Sequence, residues 1–239
     1  MTSPLLSIIV PCKTRTDPNL QRFLESVRRQ NFSKDRLEIL VETQGNSEQA
    51  KAYGIQKAKG DILGFFCSDN ELIDRTFLSS MVWSASCSDV TGAYTARYSH
   101  VWSDKALSRY FALLGANDPL CWWLGKSDRQ SYLQDSKVGL AEFKDKIPSI
   151  GDNGFFVKRS ALNKITINPD FHFPMDLCED LRRVEESTYF VVPSHIWHRS
   201  GENVLDYFRR RYVYTRDLYF KQQDKRRWHM VDKGNWPRV

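Results

Sequence analysis

The chain has 239 residues, 41% of them hydrophobic and 27% charged, with a formal net charge of +6. That length can bury a full core as one large α/β domain, alone or with an appendage. No stretch approaches the roughly 18 to 20 apolar residues of a membrane-spanning helix, and residues 1–6 lack the basic-then-apolar pattern of a secretory signal. Five cysteines (Cys12, Cys67, Cys87, Cys121 and Cys178) are scattered without a CxxC pair. Their spacing argues against a disulfide framework or a zinc site and for a reducing cytosol.

Residues 7–11 form a short β-branched strand ended by Pro11. Residues 19–30 follow with Leu20, Phe23, Leu24 and Val27 at helical spacing. A second strand over 36–41 closes at the turn Thr43-Gln44-Gly45-Asn46. Ser47 is placed to cap a helix running to Lys59, with Ala50, Tyr53, Gly54 and Ala58 as packing positions. The next run is the most informative. Five of the six residues 62–67 are apolar, as in a strand buried on both faces, and the run stops abruptly at Ser68-Asp69-Asn70-Glu71. This β-α-β-α-β alternation predicts parallel strands with right-handed crossovers, a nucleotide-binding kind of half-domain. In such sheets ligands bind at the carboxyl ends of the strands. Carboxylates placed there can hold Mg²⁺ or Mn²⁺, hard cations that prefer oxygen and bridge to phosphate.

Further along, residues 76–86 read as a helix and 90–98 as a strand. The stretch 99–146 carries Trp102, Tyr110, Trp122, Trp123 and the polar knot 115–119. It reads either as a pocket-shaping insertion or as a satellite core. Gly151-Asp152-Asn153-Gly154 is a turn leading into a strand that ends at Lys158. Residues 178–186 read as a charged helix opening with Glu179-Asp180, 189–192 as a last strand, and 204–220 as helical. Eleven Lys or Arg fall among residues 199–239, interleaved with Tyr, Phe and Trp. Such a tail suits nucleic acid, an anionic membrane surface or an acidic substrate, and equally a solvated helical face. The simplest division is a domain over 1–200, in halves 1–98 and 99–200, with a helical extension over 201–239.

Taken in order, these segments resemble the family 2 glycosyltransferases, inverting enzymes with the GT-A fold. The match covers roughly the first two thirds of the chain. Ser7-Ile8-Ile9-Val10-Pro11 is similar to the family's opening strand, Ser26 to Gln30 to its S-x-x-x-Q segment, and Glu38-Ile39-Leu40-Val41 to its second strand. The run from Tyr53 to Ile62 resembles N-x-G-x-x-x-A-x-G-D-x-I, with Tyr53 in place of Asn. Asp69 stands where the DxD motif has its last Asp, and Cys67 where it has its first. Cys178-Glu179-Asp180 resembles the acidic ED motif. Thr43-Gln44-Gly45 departs from the usual Asp-Asp-Gly, leaving Glu42 to supply that carboxylate.

The resemblance implies a GT-A, Rossmann-like, mostly parallel sheet flanked by helices, and a transfer of a hexose from a nucleotide sugar, a UDP-sugar by preference. It implies Asp180 as general base with Glu179 as its fallback, and a Mn²⁺ or Mg²⁺ site from Asp69, Glu71 and His198. Donor contacts fall to Pro11, Lys13, Thr14, Glu42, Ser68, Asp69, Arg209 and Arg211, and acceptor-side contacts to Asp152 and Asn153. The acceptor would be a glycan or a polyprenyl-linked molecule, met in the cytoplasm with peripheral contact at the membrane face, and nucleic acid would not be a partner. Three rivals stand beside this reading. A sugar-1-phosphate nucleotidyltransferase would need a Gly-rich basic loop after the first strand, and Pro11 to Arg15 is not one. A non-catalytic nucleotide-sugar-binding protein of the same fold is kept open by Cys67, and a nucleic-acid-binding module by the basic tail.

Overall fold

The computed structural model describes residues 5–114, 123–124, 139–199 and 204–229. The knot at 115–119, Trp122 and the last ten residues lie outside that description. The strands are β1 (Leu6–Pro11), β2 (Leu37–Glu42), β3 (Ile62–Phe65), β4 (Asn70–Leu72), β5 (Gly92–Ser99), β6 (Gly139–Glu142), β7 (Phe155–Lys158) and β8 (Thr188–His198). The helices are α1 (Pro18–Arg28), α2 (Ser47–Lys57), α3 (Phe77–Ser86), α4 (Ala106–Leu114), α5 (Arg159–Leu162), α6 (Pro174–Arg183) and α7 (Val204–Tyr214), the last continuing as π-helical turns over Thr215–Phe220. Among the described residues no helix is long and apolar enough to cross a membrane.

The strands form one sheet in the order β2-β1-β3-β7-β5-β8-β4, with β6 also paired to β8. β1, β2, β3, β5 and β8 run one way, and β4, β6 and β7 run against them. The fold is therefore a mixed α/β sheet whose strands are mostly parallel, as the alternation in the sequence predicts. Side chains alternate across it. Ile8 and Val10 pack into one apolar cluster with Phe23, Phe66 and Phe156, while Ile9 packs into another with Phe65, Phe155 and Tyr189. The sheet is thus buried on both faces, which is why its strands read as continuous apolar runs.

Four expectations change. The second helix is capped by Asn46, not Ser47: the Asn46 side chain accepts from the backbone of Glu48 and Gln49 while Gln49 reaches back to Asn46. The helix expected at 178–186 begins four residues earlier, at Pro174, since proline suits the first helical position. Glu179 and Asp180 consequently lie toward its C-terminal half, and Asp176 occupies its first turn. The last strand does not end at Val192. Pro193 falls between the part of β8 that pairs β6 and the part that pairs β4, and the register against β5 slips between Thr95 and Arg97. A proline is tolerated at such an irregularity, so the strand runs on to His198. Finally, Asn70-Glu71-Leu72 forms a short strand that its composition did not announce.

Phe156 sits in the middle of the sheet with no exposed surface. Phe156→Ala is expected to remove about 3–5 kcal/mol of stability, read as a lower urea midpoint at unchanged slope.

Candidate active site

The strand directions bring one set of loops to one edge of the sheet. β1, β2, β3 and β8 end there at Pro11, Glu42, Phe65 and His198, while antiparallel β4 and β7 begin there. The chain leaving β3 passes through Cys67 to Asp69 and turns back as β4 alongside the end of β8. Asn70 pairs with His198, and the Arg199 N–H donates to the Asp69 carbonyl at 3.1 Å. The loop before β7 is held to the same place: the Gly154 N–H donates to the Phe65 carbonyl at 2.8 Å. The Asn153 backbone is left-handed (φ 53°), and its side-chain oxygen accepts from the Asn70 amide at 3.0 Å. Asn70 in turn accepts from the Cys67 N–H at 2.9 Å. These polar links hold the turn between Cys67 and Asp69 in one shape.

Its consequence is a cluster. A sulfur of Cys67, a carboxylate oxygen of Asp69 and a ring nitrogen of His198 lie within 4.8 Å of one another. His198 Nε2 is 3.2 Å from Asp69 Oδ1. Oδ1 is buried, with the His198 ring as its neighbour. Burial pushes the Asp69 carboxyl up, but the His198 ring and, farther off, Arg210 outweigh it and hold it below the usual range. Burial pushes the Cys67 thiol well up, helped by the Asp152 and Asp69 charges. A divalent cation fits this donor set, because a sulfur, a carboxylate oxygen and a ring nitrogen from two segments of the chain converge within 4.8 Å.

Beside the cluster is an ion pair network that sequence reasoning missed. Lys51 is 3% exposed and lies 3.1 Å from Glu48 Oε2 and 2.9 Å from Asp152 Oδ2. Burial alone would favour loss of its proton, but the two carboxylates prevail and hold the ammonium above its usual range. Nothing in the sequence marks Lys51 as buried, since its fate depends on a partner 101 residues away.

The acidic helix approaches through its N-terminus. A Cβ on Gly151 would stand 2.7 Å from the Pro174 carbonyl, so α6 begins against the loop that carries Asp152. Asp176, 3% exposed, is held by Arg226 at 2.8 Å and by the N–H groups of Arg227 and Trp228 at 3.2 and 2.8 Å. Asp180 lies one turn farther along, about 6 Å at helical rise, paired to Arg227 at 2.5 Å. Burial raises the Asp180 pKa despite that arginine. Glu179 is consumed by Arg182 and Arg183, which outweigh its burial and keep its pKa low.

The remaining expected residues divide clearly. Asp152 and Asn153 are at the site. Pro11 and Ser68 lie on the same edge. Lys13 and Thr14 are exposed beyond β1, and Glu42 is held by Lys57 at 2.8 and 2.9 Å. Glu71 is not brought into the cluster: it faces Arg29 at 3.6 Å and Arg199 at 3.5 Å. Of the three tail arginines, Arg210 acts on Asp69, Arg211 lies over the Tyr207 and Tyr214 rings, and Arg209 is exposed.

No family profile and no curated protein matches the chain. Solved structures do. A mannosyltransferase, PcManGT from Pyrobaculum calidifontis, in complex with GDP-Man and Mn²⁺, superposes at a TM-score of 0.56 with 13% identity over 94% of this chain. TarS from S. aureus superposes at 0.53 with 12% identity over 85% of this chain, and its UDP-GlcNAc complex at 0.52 with 12% identity over 90%. The chain has a GT-A-like fold. It spans 65% of the mannosyltransferase and 63% and 66% of the two TarS structures.

His172 gives this region a pH signature. It is 3% exposed, stacked on Phe65 with centroids 5.2 Å apart, and burial with the Lys51 and Arg227 charges lowers its pKa to about 3. The unfolded chain takes up that proton near pH 6.5, the folded chain only near 3, so stability is lost as pH falls below 6.5. Between pH 7 and pH 5 the loss at this one group is about 2 kcal/mol. Urea denaturation at the two pH values is expected to show a drop smaller by that amount in His172→Phe.

Proposed function

We propose that the chain is a metal-dependent, inverting glycosyltransferase that moves a sugar from a nucleoside-diphosphate donor, a UDP-sugar by preference, to a hydroxyl or lipid-phosphate acceptor. The observation that carries this reading is the convergence of Cys67, Asp69 and His198 at the carboxyl edge of a sheet shared with PcManGT and TarS. Cys67, Asp69 and His198 would hold the cation, which when bound neutralises charge on a leaving diphosphate. Arg210, whose charge acts on Asp69, would meet the phosphates. Asn70 and Asn153 keep the turn in register, and Lys51 holds the Asp152 carboxylate at 2.9 Å on the proposed sugar side.

The proton acceptor belongs to α6. Glu179 is excluded by its two arginines, and Asp176, buried, by Arg226 and two backbone N–H groups. Asp180 is the better candidate, because its side chain is more exposed than either, it has one arginine partner, and burial raises its pKa. A carboxylate there can take the acceptor hydroxyl proton as the new bond forms.

In a thermal-shift panel, UDP or GDP with a divalent cation is expected to raise the melting temperature, and Asp69→Ala to abolish that rise. Asp180→Asn should keep the nucleotide response and lose about a hundredfold or more in transfer. If Asp180→Asn transfers normally, the base assignment is wrong. No nucleotide response under any cation removes the reading.

We also place the chain at the cytoplasmic face of a membrane. Leu205, Phe208 and Tyr212, 81%, 61% and 66% exposed, share one stripe of α7 with Arg209. Helix α4 packs beside it through Phe111 and Tyr207, 4.7 Å apart, and adds exposed Tyr110 and Leu113. Apolar side chains flanked by arginines suit an anionic bilayer surface, where each cation contributes about 1 kcal/mol. Co-sedimentation with phosphatidylserine vesicles is expected, and Leu205→Asp with Phe208→Asp should weaken it about tenfold. Equal sedimentation of that variant would leave this surface without its role.

A further inference from the structure

The donor set of the cluster is not the one that hard cations prefer. Mg²⁺ and Mn²⁺ suit carboxylate, carbonyl and water oxygens, whereas thiolate and imidazole suit Zn²⁺. Here one sulfur, one ring nitrogen and one carboxylate oxygen lie within 4.8 Å of each other. The only other carboxylate of the turn, Glu71, is drawn off by Arg29 and Arg199. Tetrahedral zinc with bonds near 2.0–2.1 Å puts neighbouring nitrogen and oxygen ligands about 3.3 Å apart, and His198 Nε2 and Asp69 Oδ1 stand at 3.2 Å. Asp69 Oδ1 is buried. Three protein ligands leave a fourth position open, the pattern of a site that also takes a substrate oxygen.

We infer that Cys67, Asp69 and His198 form a mononuclear site selective for Zn²⁺ over Mg²⁺ and Mn²⁺, with its open position for a phosphate oxygen. The last clause rests on the transferase reading; the metal preference does not. The scattered cysteines argued against zinc on spacing alone, but the partners of Cys67 are supplied by the fold, from two residues on and from the far end of β8. On binding, the sulfur–metal bond replaces the thiol S–H bond and the proton leaves to water.

The test uses Co²⁺ as a spectroscopic stand-in for Zn²⁺ on the full chain. A near-ultraviolet sulfur-to-cobalt charge-transfer band is expected in the wild type, unchanged in Cys12→Ser and absent in Cys67→Ser. An equimolar amount of Zn²⁺ should erase it, and a large excess of Mg²⁺ should not. In Cys67→Asp, Zn²⁺ affinity should fall at least about tenfold relative to Mn²⁺. No band, a band that persists in Cys67→Ser, or displacement by Mg²⁺ overturns the inference. Loss of the band together with an intact UDP or GDP thermal shift in Mn²⁺ overturns it and leaves the transferase reading standing. A Cys67-dependent band without any nucleotide response supports the site and removes the transferase reading.

Discussion

The site depends on three residue pairs of antiparallel strand, Asn70 to Leu72 against Ile196 to His198. β3 and β8 end at the same edge but are separated in the sheet by β7 and β5. Only by crossing that gap and returning as β4 does the chain set Asp69 beside His198. The register leaves little freedom, because a slip of one residue in a strand reverses which face each side chain occupies. Leu72 and Ile196, both buried, fix it from the apolar side. Asn70 fixes it from the polar side, as it accepts from Cys67 and donates to Asn153. The chemistry at the edge is therefore a by-product of ordinary strand pairing, which explains how residues 129 positions apart meet.

The buried charges next to this turn are costly unless they stay together. An unpaired buried ammonium or carboxylate costs several kcal/mol, and removing one partner of such a pair typically costs 3–5 kcal/mol. Lys51 has both Glu48 and Asp152 within 3.1 Å, so its own cost is offset twice. A network of this kind adds little net stability compared with an apolar core of the same volume. Its value is orientation. Asp152 is fixed at the mouth of the cluster by a lysine that is itself rigid, and the loop from Gly151 to Gly154 needs its left-handed backbone to place it there.

Much of the fold could be read from the chain. The apolar runs of β1 and β3 and the spacing of Leu20, Phe23 and Val27 are local signals, and local signals set elements whose burial is complete. Asp69 was legible for the same reason, as the first acidic residue after a buried strand. The limits of local reading show at Pro193, where a proline looked like the end of a strand. A register irregularity and a gap between β6 and β4 absorb it, and neither is written near Pro193. Glu179-Asp180 stood out as an acidic pair, yet the helix start is set by Pro174, which moves Asp176 into the first turn. Lys51 and Arg226 were invisible because their burial depends on distant segments. Glu71 looked like a ligand until Arg29, just past α1, and Arg199, just past β8, claimed it.

Charge balance links the cluster to its neighbours. Glu48 and Asp152 are two carboxylates facing the ammonium of Lys51, with the Cys67 thiol held neutral by burial, while Asp69 answers to His198 and Arg210. Arg226 is matched by Asp176 and so adds little to that sum. With two carboxylates to one ammonium, about one negative charge stays uncompensated; burial and the neighbouring Asp152 charge raise the Glu48 pKa. An isolated diphosphate would be repelled by such a pocket, and an isolated dication attracted. Occupation by a dication and a phosphate together lets each remove the penalty of the other. On the proposed reading, the cation and the nucleotide would bind as coupled ligands. The coupling would arise from the same carboxylates that the fold has to bury to build the edge.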